Sequence, residues 1–492
     1  MSSVDLLAFD IGASNGRGII GRFDGERVTF YPILHFDNHF SMRGALAYWD
    51  LDSILHNMKS CFSKAKSMGF EPSCFGIDTW GVDYGLLNKS GQLIENPRAY
   101  RCATDAEMRA AWQKTSKKTL FDRTGIAALN LNTVYQLYRR VLENDEALQK
   151  ADTLLLMPDL LGYRLTGSKM SEYTNVTTTN LMDVRTRDWS WQTMRELSIP
   201  EGLFTPMDRA GTQRGSLMPD IAAEIGVSRV PFASVGTHDT ASAVAAIPGE
   251  GNFAFCSSGT WSLFGIETSE PVLTDFVFEN NFSNEGTVQG GFRPLKNIMG
   301  LWIIQECRRE WAQAGRDYTW DQIVSQAEGA APLRSVLDPD YPAFFQAGGM
   351  VSKIQDYCRD TGQPVPETVG EIARCVYESL ALKYRWAVLK LGQMKGKPIQ
   401  SLNMTGGGIQ NKLLNQMAAD STGLCVTAGP IEGAALGNIL LQAMALGLIK
   451  NIGEARDIVR ASVETKTYSP RHTPQWDEAY GRMINCMEAA AT

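Results

Sequence analysis

The sequence has no apolar run that approaches the ~20 residues of a membrane-spanning helix. Its first residues, MSSVDLLAFDIG, contain neither a basic start nor an apolar stretch long enough for a secretion signal. Both absences argue against a membrane protein or a secreted protein, so we expect a cytoplasmic location and no membrane partner.

Excess positive charge is also missing. Lys and Arg number 47 against 54 Asp and Glu, which gives a formal net charge of −7, and the basic residues are scattered. A protein that binds nucleic acid would be expected to carry a basic face. We therefore expect no nucleic-acid partner.

Cysteine and histidine are too few and too scattered for a disulfide scaffold or a zinc site. The nine cysteines include no C-x-x-C pair, so most are expected to be small buried residues kept reduced. Spacing alone leaves open whether Cys358 and Cys375 lie close together. His35 and His39 share one segment, but no cysteine or third histidine is near them, which argues against zinc.

The chain has instead the composition of an ordinary globular protein, with 492 residues of which 44% are hydrophobic and 21% charged. At ~150 residues per domain, this length predicts two to four domains. The strongest break is the segment Pro248-Gly249-Glu250-Gly251, because Pro and Gly end regular elements. We place a boundary there, which gives an N-terminal lobe of residues 1–248 and a C-terminal lobe of residues 249–492.

The two lobes begin with similar segments. Residues 6–17 have the sequence LLAFDIGASNGR, and residues 251–262 have the sequence GNFAFCSSGTWS. Each is an apolar strand, a turn of small polar residues and a second apolar strand. Because the similarity falls at the starts of two lobes of nearly equal length, it indicates a duplicated fold.

Alternating and helical patterns predict the main elements. Strands are predicted at residues 6–9, 18–23, 27–33, 74–77, 232–235, 402–404 and 424–427, and helices at residues 51–68, 241–247, 409–420 and 434–446. Asp24-Gly25 lies between two apolar stretches and predicts a hairpin. The last third runs strand, glycine loop, helix, strand, loop, helix, which suits a nucleotide cleft.

Gly16, Gly18 and Gly21 match the dinucleotide-binding pattern G-x-G-x-x-G. That pattern must open a helix whose N-terminus holds pyrophosphate, whereas here it runs into a predicted hairpin strand. A Walker A loop is absent from the sequence. We therefore expect neither a dinucleotide-binding fold nor a P-loop.

Asp10 lies at the end of the first predicted strand, before a turn of small residues at 12–17. Small residues let backbone N–H groups approach phosphate oxygens. An aspartate is useful beside a phosphate when Mg²⁺ lies between them. The alternative is a tight turn with a surface aspartate, and this segment alone does not decide between the two.

Asp239 lies between a predicted strand and a predicted helix, next to His238. The positive end of the helix would favour an ionised carboxylate that accepts a proton from a sugar hydroxyl, although Asp is also a common N-cap. Trp80 and Asp83 offer an aromatic face and a short acidic chain for a sugar ring. Core packing of Trp80 and a turn at Asp83 are the alternatives.

Two further turns contain small residues. Ser257-Ser258-Gly259-Thr260 is the counterpart, in the second lobe, of the turn at residues 12–17, so the two loops together could hold phosphates. Gly406-Gly407-Gly408 follows a predicted strand, and such a run costs conformational entropy. It indicates either a sharp left-handed turn or the close approach of adenine or ribose.

Taken together, these segments resemble those of the FGGY carbohydrate kinases, which belong to the actin-like ATPase superfamily. The matching segments are residues 10–17 (DIGASNGR), 76–83 (GIDTWGVD), 236–243 (GTHDTASA), 257–262 (SSGTWS), 295–302 (LKNIMGLW) and 406–411 (GGGIQN). The last of these is similar to the family's adenosine-side signature. The resemblance covers nearly the whole chain and implies an α/β fold of two duplicated actin-like, ribonuclease H-like lobes with an interlobe cleft.

The resemblance also implies the chemistry: the γ-phosphate of ATP, used with Mg²⁺, is transferred to a hydroxyl of a small-molecule ketose. It makes Asp239 the catalytic base and Asp10 a residue that holds Mg²⁺ through water. The ATP contacts that it implies are Ala13, Ser14, Asn15, Gly16, Arg17, Gly259, Thr260, Gln305, Gly406, Gly407 and Gly408. The sugar contacts that it implies are Gly81, Arg101, His238, Asp239, Thr240 and Asn297, to which residue chemistry adds Trp80 and Asp83.

Within this resemblance, the expected acceptor is L-rhamnulose and the expected product is L-rhamnulose 1-phosphate. L-Fuculose or a pentulose is the alternative, because related ketose kinases share most of these segments. A sugar-independent, actin-like conformational ATPase would leave residues 236–240 without a task, and a catalytically dead sugar sensor does not fit an intact Asp10 and Asp239. Lobe closure is expected to exclude water from the reaction.

Overall fold

The computed structural model describes residues 3–471 and 473–489. The chain divides into two compact units. The first contains Met1–Pro248, Glu267–Pro294 and Gly433–Ser462, and the second contains Gly249–Ile266, Leu295–Glu432 and Val463–Thr492. Two segments that the expected boundary assigned to the C-terminal lobe, 267–294 and 433–462, therefore belong to the first unit.

The strands and helices are numbered in chain order. The strands are β1 Val4–Ile11, β2 Asn15–Phe23, β3 Val28–Asp37, β4 Phe40–Arg43, β5 Leu46–Trp49, β6 Cys74–Thr79, β7 Tyr84–Leu87, β8 Thr153–Leu156, β9 Ser171–Glu172, β10 Met182–Asp183, β11 Asp188–Trp189, β12 Met207–Asp208, β13 Thr212–Ser216, β14 Pro231–Ser234, β15 Phe253–Ser258, β16 Trp261–Gly265, β17 Ser283–Gly286, β18 Phe292–Met299, β19 Ser401–Thr405, β20 Cys425–Ala428 and β21 Lys466–Tyr468. The helices are α1 Leu51–Ser67, α2 Asp105–Trp112, α3 Lys117–Thr124, α4 Thr133–Leu142, α5 Glu146–Lys150, α6 Met157–Thr166, α7 Tyr173–Val176, α8 Trp191–Glu196, α9 Pro219–Ile225, α10 Asp239–Ala245, α11 Asp275–Glu279, α12 Trp302–Gln313, α13 Trp320–Gly329, α14 Met350–Asp360, α15 Val369–Lys395, α16 Lys412–Thr422, α17 Gly433–Ala445, α18 Ile452–Ser462 and α19 Pro474–Ala489.

The first unit is built on a six-stranded sheet with the order β13-β14-β6-β1-β2-β3. Its central strand β1 runs parallel to β6 and antiparallel to β2. The residues of β1 from Leu6 onward are buried, as expected for a strand that is covered on both faces. This burial holds the residues at the carboxyl end of β1 in a defined position.

The second sheet repeats this topology. It contains the run β18-β16-β15-β19-β20-β21, in which β15 is parallel to β19 and antiparallel to β16. Strand by strand, β15, β16 and β19 occupy the places that β1, β2 and β6 have in the first sheet. The predicted α/β fold with duplicated lobes is thereby confirmed.

Most of the predicted elements are present with small shifts at their ends. The helix predicted at 51–68 is α1, and the hairpin predicted at Asp24-Gly25 joins the antiparallel strands β2 and β3. The helix predicted at 241–247 begins two residues earlier, at Asp239. His238 is therefore the N-cap residue, and its side chain makes no capping hydrogen bond.

The three glycines of the G-x-G-x-x-G pattern lie on β2, as the hairpin interpretation required. A Cβ on Gly16 would stand 2.5 Å from the Phe36 ring, and one on Gly18 would stand 2.5 Å from Cys61 Sγ. A Cβ on Gly21 would collide with Ile439. These glycines serve the close packing of neighbouring side chains rather than a dinucleotide.

No helix in the described part of the chain is both long and apolar enough to cross a membrane. All nine cysteines carry free thiols, and six of them, including Cys358 and Cys375, are buried.

Candidate active site

The carboxyl ends of β1 and β6 bring two aspartates together in the first unit. Asp10 and Asp78 are direct partners in the parallel register of these strands. Asp78 is fully buried, and its pKa lies well above the ordinary value because of burial first and the neighbouring Asp10 second. Its Oδ2 accepts a hydrogen bond from Asn438 at 2.6 Å, while Oδ1 accepts none from the described residues.

Asp10 forms an ion pair with a neighbour on the next strand. Arg17 donates from Nη2 at 2.7 Å and from Nε at 3.1 Å to Asp10 Oδ2. The turn between the two residues is tight, because Gly12 N–H donates to the Asn15 carbonyl at 2.8 Å. Asn38 supports the turn by donating to the Gly12 carbonyl at 2.6 Å. The predicted turn of small residues is therefore a tight hairpin turn next to the Asp10 carboxylate.

Glu172 holds the segment that carries His238 and Asp239. Its Oε2 accepts from the backbone N–H of Thr237 at 3.1 Å and from the Thr237 hydroxyl at 2.9 Å. The same oxygen accepts from Thr174, whose hydroxyl in turn accepts from the His238 N–H at 3.2 Å. Glu172 is fully buried, so this anchor places the start of α10 rigidly.

Asp239 is the first residue of α10, and its carboxylate accepts hydrogen bonds from the backbone and hydroxyl of Thr240. Burial raises its pKa, His238 lowers it and Asp10 raises it further. Asp239 likewise raises the pKa of Asp78. Three carboxylates from three different segments therefore act on one another, and a cation or a proton beside them would be stabilised.

His238 has two charged neighbours that the sequence analysis missed. Arg293 Nη2 lies 3.1 Å from His238 Nδ1, and Glu285 Oε2 lies 3.3 Å from the same nitrogen. His238 Nε2 lies 3.6 Å from Asp239 Oδ1. Arg293 and Glu285 are separated from His238 by about 50 residues, and no local pattern marks them.

The loop after β6 contains the predicted sugar contacts Trp80, Gly81 and Asp83. Asp83 is only 1% exposed, and its Oδ2 accepts from Trp49 Nε1 at 2.7 Å and from Trp80 Nε1 at 3.0 Å. This burial and these hydrogen bonds favour a structural role for Asp83, and its contact with a sugar stays a prediction. Asp83 orients the two indoles, whose ring centroids are 4.4 Å apart.

The rest of this loop is packed with little freedom. A Cβ on Gly81 would stand 2.9 Å from the Thr178 hydroxyl. Val82 has a φ of +70°, which is strained for a β-branched residue. Its carbonyl accepts from the Thr133 hydroxyl at 2.6 Å, which helps to hold that conformation. Arg101, by contrast, is exposed, and its guanidinium lies 5.6 Å from the centroid of the Tyr100 ring.

The second unit contains a cavity of about 380 Å³. It is lined by residues of the β15–β16 turn, the glycine loop and three helices: Gly259, Thr260, Leu301, Ile304, Gln305, Trp320, Asp321, Val324, Tyr377, Gly407, Gly408, Gln410 and Asn411. Five of the predicted ATP contacts are therefore brought together. Trp320, Val324 and Ile304 add an apolar wall that sequence reasoning missed, because they come from helices without a motif.

The glycine loop lies against the end of β15. A Cβ on Gly406 would stand 2.8 Å from the Ser258 carbonyl oxygen, and Gly406 has a φ of +88°. A Cβ on Gly408 would collide with the Ser258 side chain, whereas one on Gly407 would meet no protein atom within 4 Å. The glycine run therefore contains a positive-φ turn at Gly406 and open space at Gly407, and the approach of adenine or ribose stays a prediction.

Thr260, Gln305 and Asn297, three further predicted contact residues, also have defined positions in the second unit. The Thr260 hydroxyl donates to Gln305 Oε1 at 3.3 Å, which links the β15–β16 turn to α12. Asn297 lies on β18 opposite Leu263, is half-buried, and its Oδ1 accepts no hydrogen bond from the described residues.

Comparison with models of protein families shows to which family the chain belongs. The model of the N-terminal domain of the FGGY family of carbohydrate kinases matches residues 6–246, and the model of its C-terminal domain matches residues 254–446. The chain belongs to the FGGY family. It is a carbohydrate kinase, and this membership implies ATP as the phosphoryl donor and a small-molecule sugar as the acceptor.

Curated proteins similar to this chain include rhamnulokinases from three bacteria. The one from Bacteroides thetaiotaomicron is 38% identical over 98% of this chain and 99% of its own length. That from Bacillus subtilis is 38% identical over 94% of this chain and 95% of its own length. That from Enterococcus faecalis is 40% identical over 94% of this chain and 93% of its own length.

Solved structures of a xylulose kinase and a glycerol kinase share the fold at low identity. The ligand-bound xylulose kinase from Lactobacillus acidophilus has a TM-score of 0.81 at 13% identity and covers 99% of this chain and 98% of its own. The Plasmodium falciparum glycerol kinase with ADP has a TM-score of 0.81 at 14% identity, over 100% and 99%. These likenesses show the fold.

Proposed function

We propose that this kinase transfers the γ-phosphate of ATP to O1 of L-rhamnulose and so forms L-rhamnulose 1-phosphate. The observation that carries the proposal is the similarity to the rhamnulokinases above, at 38–40% identity over nearly the whole chain. Use of ATP as the donor favours the cytoplasm as the place of action.

Asp239 is the proposed general base. It lies at the N-terminus of a helix, within reach of His238 and Thr240, and burial raises its pKa toward the range where a carboxylate accepts a proton more readily. His238 and Thr240 would then hold the sugar hydroxyls, together with Gly81, Trp80, Arg101 and Asn297. Phosphoryl transfer needs mainly positioning and charge neutralisation, and the anchoring of His238 by Glu172 supplies the first of these.

The acidic cluster of Asp10, Asp78 and Asp239 fits a magnesium ion that arrives with the nucleotide. Among the described residues, no group of three or more His, Cys, Asp or Glu is arranged to hold a metal by itself. Mg²⁺ commonly uses one or two carboxylates, several waters and substrate phosphates, which is the role proposed for Asp10. When bound, Mg²⁺ would neutralise charge on the phosphate oxygens.

The cavity of the second unit is the proposed nucleotide site. Its glycine loop leaves open space at Gly407, and its wall contains Trp320 and Ile304, which suit a flat, largely apolar base. Thr260 and Gln305 add polar groups to the lining of the same cavity. The backbone of residues 13–17 is proposed to contact the phosphates.

The test of substrate is ADP release with Mg-ATP and a panel of L-rhamnulose, L-fuculose, L- and D-xylulose, L- and D-ribulose and glycerol. We expect kcat/KM to be highest by far for L-rhamnulose. A higher value for another ketose would keep the kinase and change the sugar. A slow ATPase rate that is the same with every acceptor would contradict the proposal.

The test of the base is Asp239→Asn, which keeps the shape of the side chain and removes its ability to take a proton. We expect the phosphorylation rate to fall by about three orders of magnitude or more, while calorimetry shows ATP binding close to that of the wild type. Asp220→Asn, on the exposed face of α9, is the matched control and should keep full activity. Near-normal turnover of Asp239→Asn would remove Asp239 from this role.

A further inference from the structure

We propose that Arg293, held by Glu285, is a positioning residue that fixes His238 as the tautomer with its proton on Nε2. This inference rests on the proposed function, because it concerns how His238 presents a hydrogen-bond donor to the sugar beside Asp239. Each of these three residues is at most 8% exposed, so the buried neighbours of His238, rather than bulk water, set its tautomer.

The hydrogen bonds of Arg293 set its position. Its Nε donates to the Gly286 carbonyl at 2.8 Å, and its Nη2 donates to Glu285 Oε2 at 3.1 Å. The same Nη2 lies 3.1 Å from His238 Nδ1. Arg293 is fully buried, so its guanidinium depends on Glu285 as a counter-ion.

The chemistry of the two groups then assigns the proton. A guanidinium nitrogen is only a donor, so the 3.1 Å contact between Arg293 Nη2 and His238 Nδ1 is a hydrogen bond only when Nδ1 presents its lone pair. In a neutral imidazole the proton then lies on Nε2. If Nδ1 carried the proton, its N–H would face an N–H of Arg293, although Glu285 Oε2 at 3.3 Å could accept it.

The Nε2–H is left available for a ligand. Nε2 lies 3.6 Å from Asp239 Oδ1, which is too long for a direct hydrogen bond. An oxygen bound beside Asp239 could therefore accept from Nε2–H. A sugar hydroxyl that accepts from His238 is free to direct its own proton at Asp239, so the tautomer prepares the hydroxyl for proton transfer.

The first test is a ring-nitrogen NMR spectrum of the wild-type protein labelled with ¹⁵N-histidine, at pH 8, without ligands. The chain has five histidines, and the His238→Gln variant identifies the His238 signals by their loss. We expect an unprotonated Nδ1 and a protonated Nε2. A protonated Nδ1, alone or together with Nε2, would overturn the assignment, whatever the enzyme's activity toward sugars.

Two variants separate Arg293 from Glu285. Arg293→Met leaves the Glu285 carboxylate facing Nδ1, so we expect the proton to move to Nδ1, with kcat/KM for the sugar at least ~10-fold lower and KM for ATP within ~3-fold of wild type. Glu285→Gln removes the charged partner of Arg293 but keeps the Arg293 donor beside Nδ1, so we expect the proton to stay on Nε2 in the His238 spectrum, whatever the change in kcat/KM. A proton found on Nδ1 in the wild type and lost from it in Glu285→Gln would make Glu285 the partner of Nδ1 and would contradict the inference.

Arg123→Met is the matched control. Arg123 forms a largely buried ion pair with Glu196 in the same unit and contacts none of the proposed site residues. It should leave the sugar kcat/KM and the His238 spectrum unchanged. If Arg293→Met does not fold, the wild-type spectrum and Glu285→Gln still decide the inference. Failure of the wild type to phosphorylate any sugar would instead refute the proposed function and leave the tautomer measurement intact.

Discussion

At the scale of single residues, Asp83 shows how a buried charge can organise a binding loop. Its carboxylate accepts four hydrogen bonds, from the indoles of Trp49 and Trp80, the Tyr100 N–H and the Gln136 amide. Burying a charged group is costly unless it is well hydrogen-bonded. In Asp83 the desolvation cost of burial and the stabilising hydrogen bonds act on one carboxylate. The free energy of unfolding should therefore depend on pH through this group.

Burial raises the pKa of Asp83 from 3.8 to about 6, although the four hydrogen bonds oppose the shift. Between these two pH values the unfolded chain has released the proton that the folded chain still binds, so this group's contribution to stability falls as pH rises. We predict that the free energy of unfolding of the wild type, relative to Asp83→Asn, decreases by on the order of 2–3 kcal/mol from pH 4 to pH 7. Urea unfolding at both pH values measures this, and parallel pH curves for the two proteins would contradict it.

At the scale of elements, the glycine loop before α16 combines two requirements within three residues. Gly406 needs a left-handed φ, and Gly408 allows β15 to approach closely, whereas Gly407 borders open space in the cavity. Gly406 and Gly408 are therefore needed for folding, and Gly407 is the position proposed to admit the nucleotide. Alanine substitutions at neighbouring positions of one loop can therefore separate stability from nucleotide binding.

We predict that Gly408→Ala lowers the free energy of unfolding by about 1–3 kcal/mol, because its Cβ would collide with Ser258. Gly407→Ala should stay within about 1 kcal/mol of the wild type in stability, since its Cβ meets no protein atom. Its methyl group should instead raise KM for ATP several-fold. Thermal unfolding and steady-state kinetics check both variants, and an unchanged KM for ATP in Gly407→Ala would place the nucleotide elsewhere.

At the scale of the whole molecule, the first unit is not a continuous stretch of chain. Helix α17 returns to it from residue 433 onward. Its Asn438 donates to Asp78 at 2.6 Å, its Gln442 donates to the Leu7 carbonyl at 3.0 Å, and Ile439 fills the space above Gly21. The N-terminal sheet therefore depends on a helix that is encoded almost 200 residues after the expected boundary at Pro248.

We predict that a fragment of residues 1–248 does not fold stably, because it lacks α17 and exposes the apolar surface that this helix covers. Circular dichroism and urea unfolding should show a non-cooperative transition. Adding synthetic peptides of residues 267–294 and 433–462 together should restore a cooperative one, whereas the same pair with Ile439→Asp should not. Cooperative unfolding of the fragment alone would show that α17 is dispensable.

The sequence by itself determined the local elements and the family. Periodicity placed α1 and β6, the Asp-Gly pair placed the β2–β3 hairpin, and the six motif segments predicted the duplicated kinase fold and the positions of Asp10 and Asp239. These signals are local, because a turn, a strand or a motif is encoded by adjacent residues.

Only the tertiary structure decided which distant residues meet. It paired Asp10 with Asp78, buried Asp83 beneath two indoles, brought Glu285 and Arg293 to His238, and returned α17 to the first sheet. Each of these contacts joins segments far apart in the chain, and each is stabilised by burial that arises only when the whole unit packs. No local pattern encodes them, so the electrostatics of the site follow from the fold.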